Sequence, residues 1–195
     1  ADAASRCAVA MLKETQGLNV RRKSRGEDEI RFGLGITGGP LMLGAIGGGQ
    51  RLESNVVGDT ANLSARTESM TKLFGAQILF TSHTMERLQD PGKFEIRELD
   101  QVIVVGRETA VTVYELMDMN DPDLKAQKQQ IQSQFEKGLE HYRAGEFLPA
   151  CKRFEACVAM APDDQAAALY IERCRGHVEN PPSGDWTGLT VMGQK

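Results

Sequence analysis

The sequence predicts an α+β domain over residues 1–118, an all-α extension over 121–178 and a polar tail over 179–195. Three observations lead there. Apolar residues alternate at Ile30, Phe32, Leu34 and Ile36, the period of a half-buried strand. The following elements read strand, helix, strand and hairpin, an order that mixes antiparallel sheet with helices. At Asn120-Asp121-Pro122 the composition turns to helix formers, broken at Gly145 and at Pro162-Asp163-Asp164.

Taken in order, Ala3, Ala4, Cys7, Ala8, Met11 and Leu12 mark a helix over 2–16, and a charged loop runs on to about residue 28. The basic run Arg21, Arg22, Lys23 and Arg25 is a candidate phosphate contact, against the plainer reading of a solvated loop. The glycine-rich stretch 38–49 is turn-rich and cannot hold a long helix. Val56 and Val57 form a short strand. A helix over 60–74 follows, capped by Asp59 or Thr60 and stopped by Gly75. Residues 77–81 read as a buried strand, and Ser82 or Thr84 caps a short helix ending near Leu88. Residues 94–105 and 109–116 pair around Gly106-Arg107-Glu108-Thr109. Met70, Met85 and Met160 read as core filler.

Composition sets limits. The chain has 195 residues, 41% apolar, with net charge −4, so charge gives no reason to expect a nucleic-acid partner. Cys7, Cys151, Cys157 and Cys174 lack zinc-knuckle spacing. Cys151 and Cys157 in one helix stand roughly 9 Å apart along its axis, too far to bridge easily. Reduced cysteines point to a cytoplasmic protein. No run approaches the ~20 apolar residues of a membrane span. His83, His141 and His177 show no ligand spacing. The chain opens on Ala1 in helical composition, as though cut from something longer, and the parent protein is free to carry an upstream membrane anchor.

The stretch richest in chemistry is Val57-Gly58-Asp59-Thr60-Ala61-Asn62-Leu63-Ser64-Ala65-Arg66. Asn62 and Arg66 are four apart, so they leave the same helix face one turn apart. An amide and a guanidinium converging near a helix start can stabilise charge on a phosphoryl group. The competing reading makes Asn62 a local cap and Arg66 a solvated residue. Gly33-Leu34-Gly35-Ile36-Thr37-Gly38 matches the dinucleotide fingerprint, but Pro40 and the further glycines deny it the helix it needs.

The pattern Gly-Asp-x-x-Asn-x-x-x-Arg after a Val-rich strand resembles the signature of class III adenylate and guanylate cyclases. Gly35-Ile36-Thr37-Gly38-Gly39-Pro40 is similar to that family's Gly-Ile-His-Thr-Gly-Pro. Gly44-Ala45-Ile46-Gly47 is similar to its Gly-x-Ile-Gly, and residues 99–116 to its closing hairpin. The resemblance covers roughly residues 1–117. It implies a partial ferredoxin-like nucleotidyl cyclase domain that works as a homodimer on a nucleoside triphosphate, making cyclic AMP and pyrophosphate if the base is adenine. It implies that Asn62 and Arg66 are catalytic, orienting the ribose and stabilising the pentacovalent transition state. Asn55 stands at the base-selecting position, where the family has Asp or Thr. Arg107 alone is left to grip the triphosphate, since Val104-Val105-Gly106-Arg107 stands where the family has Val-Lys-Gly-Lys. The family uses two magnesium or manganese ions on two aspartates, which the resemblance places upstream of Ala1. None is therefore expected bound to this chain, and the isolated chain is expected to be inactive. The missing first strand would leave residues 30–36 as an open sheet edge, with the apolar face of the opening helix around Ala8, Met11 and Leu12 uncovered. The tail, from residue 176 on, is long enough to close that edge instead.

Gly138, Gly145, Ala150, Phe154 and Pro162 fall at the positions of a tetratricopeptide unit, with Leu169, Tyr170 and Ile171 on a following helix. The extension is thus tetratricopeptide-like. It either binds a protein partner, with Trp186 as an anchor that could clamp a groove, or braces the cyclase fold. The alternative to an enzyme is a non-catalytic interaction module or degenerate cyclase acting through this extension.

Overall fold

In the computed structural model, residues 1–46, 53–104, 109–184 and 186–192 are described; for residues 45, 46, 53–55, 104 and 192 the description is of the backbone alone. The opening helix α1 runs Asp2–Lys23, longer than the sequence pattern suggests. Its last turn carries Arg21, Arg22 and Lys23, cations that favour a helix C-terminus. Arg22 binds the Asp28 carbonyl and the Glu27 carboxylate, so this basic run is engaged in local pairs. Then come β1 (Leu34–Ile36), β2 (Met42–Ile46), β3 (Glu53–Val57), α2 (Asp59–Phe74), β4 (Ile78–Thr81), α3 (Ser82–Met85), β5 (Ile96–Val104) and β6 (Ala110–Leu116). The extension holds α4 (Pro122–Arg143), α5 (Phe147–Met160) and α6 (Gln165–Glu179), and β7 (Thr190–Met192) closes the described chain.

The fold is α+β, as expected. A five-stranded mixed sheet runs β1-β4-β6-β5-β7, and β2 and β3 form a separate antiparallel ribbon. β1 is shorter than the alternation over 30–36 implies, because residues 30–33 are not in strand. β1 pairs parallel with β4 and stands at one edge of the sheet. The tail does not close that edge: β7 pairs parallel with β5 at the opposite one. The ribbon strand β2 was not evident in the glycine-rich stretch, whose glycines obscure any alternation.

Strand period places successive residues on opposite faces. Ile78, Phe80 and Leu116 turn to one face, where Ala8 and Leu12 of α1 cover them. The face of α1 expected to lie bare is therefore buried at Ala8 and Leu12, while Met11 is exposed. Leu79, Leu99, Val102, Val111 and Val113 turn to the other face and join one continuous core with α2 and α4–α6. Met70 is buried there, but Met160 is 51% exposed and fills no core. Within the extension, Phe154 stacks on Tyr170 at 4.7 Å and meets Phe135 edge-on at 5.4 Å. Gly138 makes room for it, since a Cβ there would lie 2.7 Å from the Phe154 ring.

A buried set of charges joins sheet to extension. Arg97 of β5 donates two hydrogen bonds to Asp164, at the start of α6, at 2.6 and 3.0 Å. It donates a third to Glu115 of β6 at 3.0 Å. Glu115 also accepts from Lys128 of α4 at 2.6 Å and from Asn120 at 3.0 Å. Arg97, Glu115, Lys128 and Asp164 are each at most 2% exposed. Two cations face two anions, so the set is neutral, and Arg97 also lies 4.6 Å over the Phe135 ring.

The tail returns to the same body. Trp186 donates its indole N–H to the Tyr142 carbonyl and packs edge-on against Tyr142, Phe147 and His177. The aromatic anchor is thus docked on its own chain. All four cysteines are free. No helix among the described residues is long and apolar enough to cross a membrane.

Two expectations follow. Removing one member of a buried ion set strands the others without compensation, at about 3 to 5 kcal/mol. Arg97→Met should lower stability by that amount in urea titrations of the 195-residue chain. The second concerns acid. Burial, reinforced by the Arg173 charge, lowers the His177 pKa below its usual 6.5. The neutral ring is therefore the form the fold prefers. Its contribution is complete above the unfolded pKa and falls away as pH drops through the folded one. Thermal unfolding followed by Trp186 fluorescence should shift down between pH 7.5 and 5.5, and His177→Gln should flatten that dependence. Asp164 opposes burial with its Arg97 bonds and ends below 3.8, so its contribution is lost only in a separate, more acid window.

Candidate functional site

The helix α2 is set by what it touches at both ends and along one side. Gly58 takes the N-cap position, with φ of 146°, a conformation that suits glycine. Asp59 is the first helical residue, so neither it nor Thr60 caps the helix as the sequence suggested; its carboxylate sits at the favourable, positive end of the helix. Thr60 instead donates to the Pro40 carbonyl at 2.6 Å and ties the helix start to the segment after β1. Gly75 closes the helix in the left-handed region, as expected. For α3 the cap is Thr81, and Thr84 reaches back toward the Ile36 carbonyl.

Along its flank α2 lies directly on the backbone of β1. Ser64 donates to the Gly35 carbonyl at 2.7 Å. A Cβ on Gly35 would stand 2.3 Å from the Glu68 nitrogen, and one on Gly33 would stand 2.0 Å from the Thr71 hydroxyl. These glycines exist to let helix and strand meet. Leu63, Thr67, Met70 and Phe74 turn inward to the core.

That packing settles where Asn62 and Arg66 point. Asn62 is exposed and Arg66 half-buried, on successive turns of the same helix. The Nη1 of Arg66 is buried and has no hydrogen-bond partner among the described residues. A buried guanidinium nitrogen without an acceptor is costly and is suited to an anionic oxygen. A cavity of about 400 Å3 opens at the helix start, lined by Gly38, Pro40, Gly58, Thr60, His83 and Arg87. A larger one, about 820 Å3, lies at the far end of α2 beside Lys72 and Gly75, and neither Asn62 nor Arg66 lines either cavity.

The other two candidates are not brought to them by any described side chain. Asn55 lies in β3 opposite Gly44, with only its backbone described. Arg107 lies outside the described residues. The sequence pattern did not single out Ser64, whose hydroxyl bonds α2 to β1, or Thr71, whose side chain packs over Gly33 while its hydroxyl donates to the Glu68 carbonyl of its own helix. Their signal was present: hydroxyl residues on a helix flank opposite a glycine-rich strand mark close backbone approach.

The family described as the adenylate and guanylate cyclase catalytic domain matches residues 1–118. The chain belongs to that family, and the matched residues take in α1, α2, α3 and strands β1 to β6. The terminal-differentiation specific adenylate cyclase of Dictyostelium discoideum is 33% identical over 146 residues, 74% of this chain and 7% of that protein. The adenylate cyclase of Anabaena cylindrica is 32% identical over 120 residues, 59% of this chain and 24% of that protein. The chain therefore spans a small part of these relatives. Among solved structures, the adenylyl cyclase CyaB from P. aeruginosa overlaps 57% of this chain and 56% of that one, at 23% identity and a TM-score of 0.47.

The geometry at Gly35 makes a direct prediction. Its neighbours are helix backbone and cannot swing aside. Gly35→Ala should push α2 off β1 and cost about 1 to 3 kcal/mol by overpacking, read as a lower urea midpoint for the 195-residue chain.

Proposed function

We propose that this chain supplies the Asn62–Arg66 half of the active site of a class III nucleotidyl cyclase that converts ATP to cyclic AMP and pyrophosphate. The observation that carries the reading is the buried, unpartnered Nη1 of Arg66, one turn from Asn62 on the helix that follows the signature glycine. The names of the relatives support ATP as substrate.

In this reading the ribose 3′-oxygen attacks the α-phosphorus, its proton passes to a base, and the bond to the bridging oxygen breaks as pyrophosphate leaves. Negative charge builds on the α-phosphoryl oxygens between those events. Arg66 donates to that charge, and Asn62 holds the ribose in line for attack. Asn55 reads the base and Arg107 contacts the triphosphate. The family's two magnesium or manganese ions supply activation of the 3′-hydroxyl. Among the described residues no three His, Cys, Asp or Glu side chains group to hold a metal ion. In this reading the part of Asn62 and Arg66 is to orient and to stabilise.

The protein works as a dimer in this reading. Leu41, Met42, Leu43, Val56 and Val57 are exposed on and beside the β2–β3 ribbon, an apolar strip that supports it. Residues 1–118 form the cyclase part, 121–178 a tetratricopeptide-like unit and 179–195 a tail. For the extension, bracing is the better supported role, because its inner face shares the core of the sheet.

The test is turnover of ATP with manganese by the full-length protein. Asn62→Ala and Arg66→Ala should each lower kcat by about 10² to 10³, the scale for one transition-state donor, with KM little changed. Unchanged turnover in both variants would sink the reading. The 195-residue chain alone should form no cyclic AMP; product formation that Asn62→Ala abolishes would refute its dependence on residues outside this chain.

A further inference from the structure

The helix that carries Asn62 and Arg66 is held on two sides. On one, β1 presses against it through Gly33 and Gly35. On the other stands α6, an element outside the residues that match the cyclase family. What α6 presents is specific. Tyr170 and Arg173, three apart and so on one helix face, both reach the irregularity in β5 between Glu98 and Asp100. Tyr170 donates its hydroxyl to the Leu99 carbonyl at 2.9 Å. Arg173 donates to the Asp100 carboxylate at 2.8 Å. A bulge re-aims the side chain it carries, and here Asp100 is 1% exposed and committed elsewhere as well. It accepts from Thr190 at 2.9 Å and from the Gln101 N–H at 2.8 Å.

The same guanidinium lies 5.0 Å over the Tyr170 ring and 5.8 Å over the Phe74 ring. Phe74 is the last residue of α2, 1% exposed and two turns beyond Arg66. Arg173 therefore sits between the last turn of the signature helix and the bulge of the closing hairpin, touching both. A helix is rigid along its length, so fixing Phe74 against Arg173 sets the line on which Asn62 and Arg66 project.

We propose that Arg173 is a positioning residue for cyclization: it locks α2 to the β5 bulge, and the extension thereby sets the aim of Asn62 and Arg66. This rests on the cyclase reading above. It also assigns the extension a part in the reaction that bracing alone does not. Arg173 does not touch substrate. Its effect falls on the step that Asn62 and Arg66 serve, so kcat moves and the ground-state affinity for ATP does not.

The experiment uses the full-length protein. Arg173→Met keeps much of the stem but leaves Asp100 buried without its cation, so it is paired with the double variant Arg173→Met/Asp100→Asn, which removes that charge. A displacement of about 1 Å at a reacting centre costs up to a hundredfold. We expect kcat of the double variant to fall roughly ten- to a hundredfold, with KM for ATP within about twofold, while its melting temperature returns toward that of the parent protein. Arg173→Lys, which keeps the charge but not the planar fork, should recover part of kcat. Amides of residues 63–74 should exchange faster in the double variant, a readout independent of turnover. The proposal is overturned if the double variant is folded and turns over at the parent rate. It is overturned equally if kcat falls only in proportion to the folded fraction. Loss of the cyclase reading has a different signature, in which Asn62→Ala and Arg66→Ala leave turnover intact.

Discussion

Arg97 is the residue on which the two parts of the chain agree. Its guanidinium rises from β5 into the plane between sheet and helices, where Asp164, Glu115 and Phe135 surround it. An isolated charge in such a place would be prohibitive. The structure therefore brings an anion from the α5–α6 connection and another from β6, and Lys128 restores neutrality. An apolar interface of similar volume would hold as well or better. What the charges add is register: of the carboxylates on the extension, Asp164 is the one placed to meet both Arg97 amino groups, so the helices have one seat on the sheet. Everything downstream, including Tyr170 over Leu99 and Arg173 over Phe74, inherits that seat.

Much of the fold was legible because its periodicities are strong. The hairpin of β5 and β6, the helix ending at Gly75 and the three helices broken at Gly145 and Pro162 all follow local rules of pattern and punctuation. The strand β1 is shorter than its alternation because, in the parallel pairing, residues 30–33 fall before the start of β4, where the end of α2 stands instead of a strand, and Ile30 bonds to the Asn19 side chain. The ribbon β2–β3 was hidden by glycines. The position of the tail could not be read at all. Nothing local in residues 176–195 distinguishes pairing with β1 from pairing with β5, and the choice is made by Trp186 finding the Tyr142 pocket.

The candidate site was legible to a different degree. Spacing singled out Asn62 and Arg66, and they stand one turn apart on α2, Asn62 exposed and Arg66 half-buried. What spacing could not reveal is how the helix is held. Ser64 with Gly35 and Phe74 with Arg173 are 29 and 99 residues apart, pairs that only the fold brings together. A signature marks a spacing on one helix. The contacts that hold that helix are spread over elements with no common motif, one of them outside the matched residues.

The pairing of β7 with β5 has a consequence for biosynthesis. Val102 takes its partner from Thr190, far later in the chain. While a ribosome is still making α4 to α6, the outer edge of β5 has its hydrogen-bonding groups free and a neighbouring nascent chain can offer them a strand. Contacts this distant in sequence form late. The docked tryptophan limits the slack in the folded chain: with Trp186 held beside Tyr142, only three residues lie between that anchor and β7.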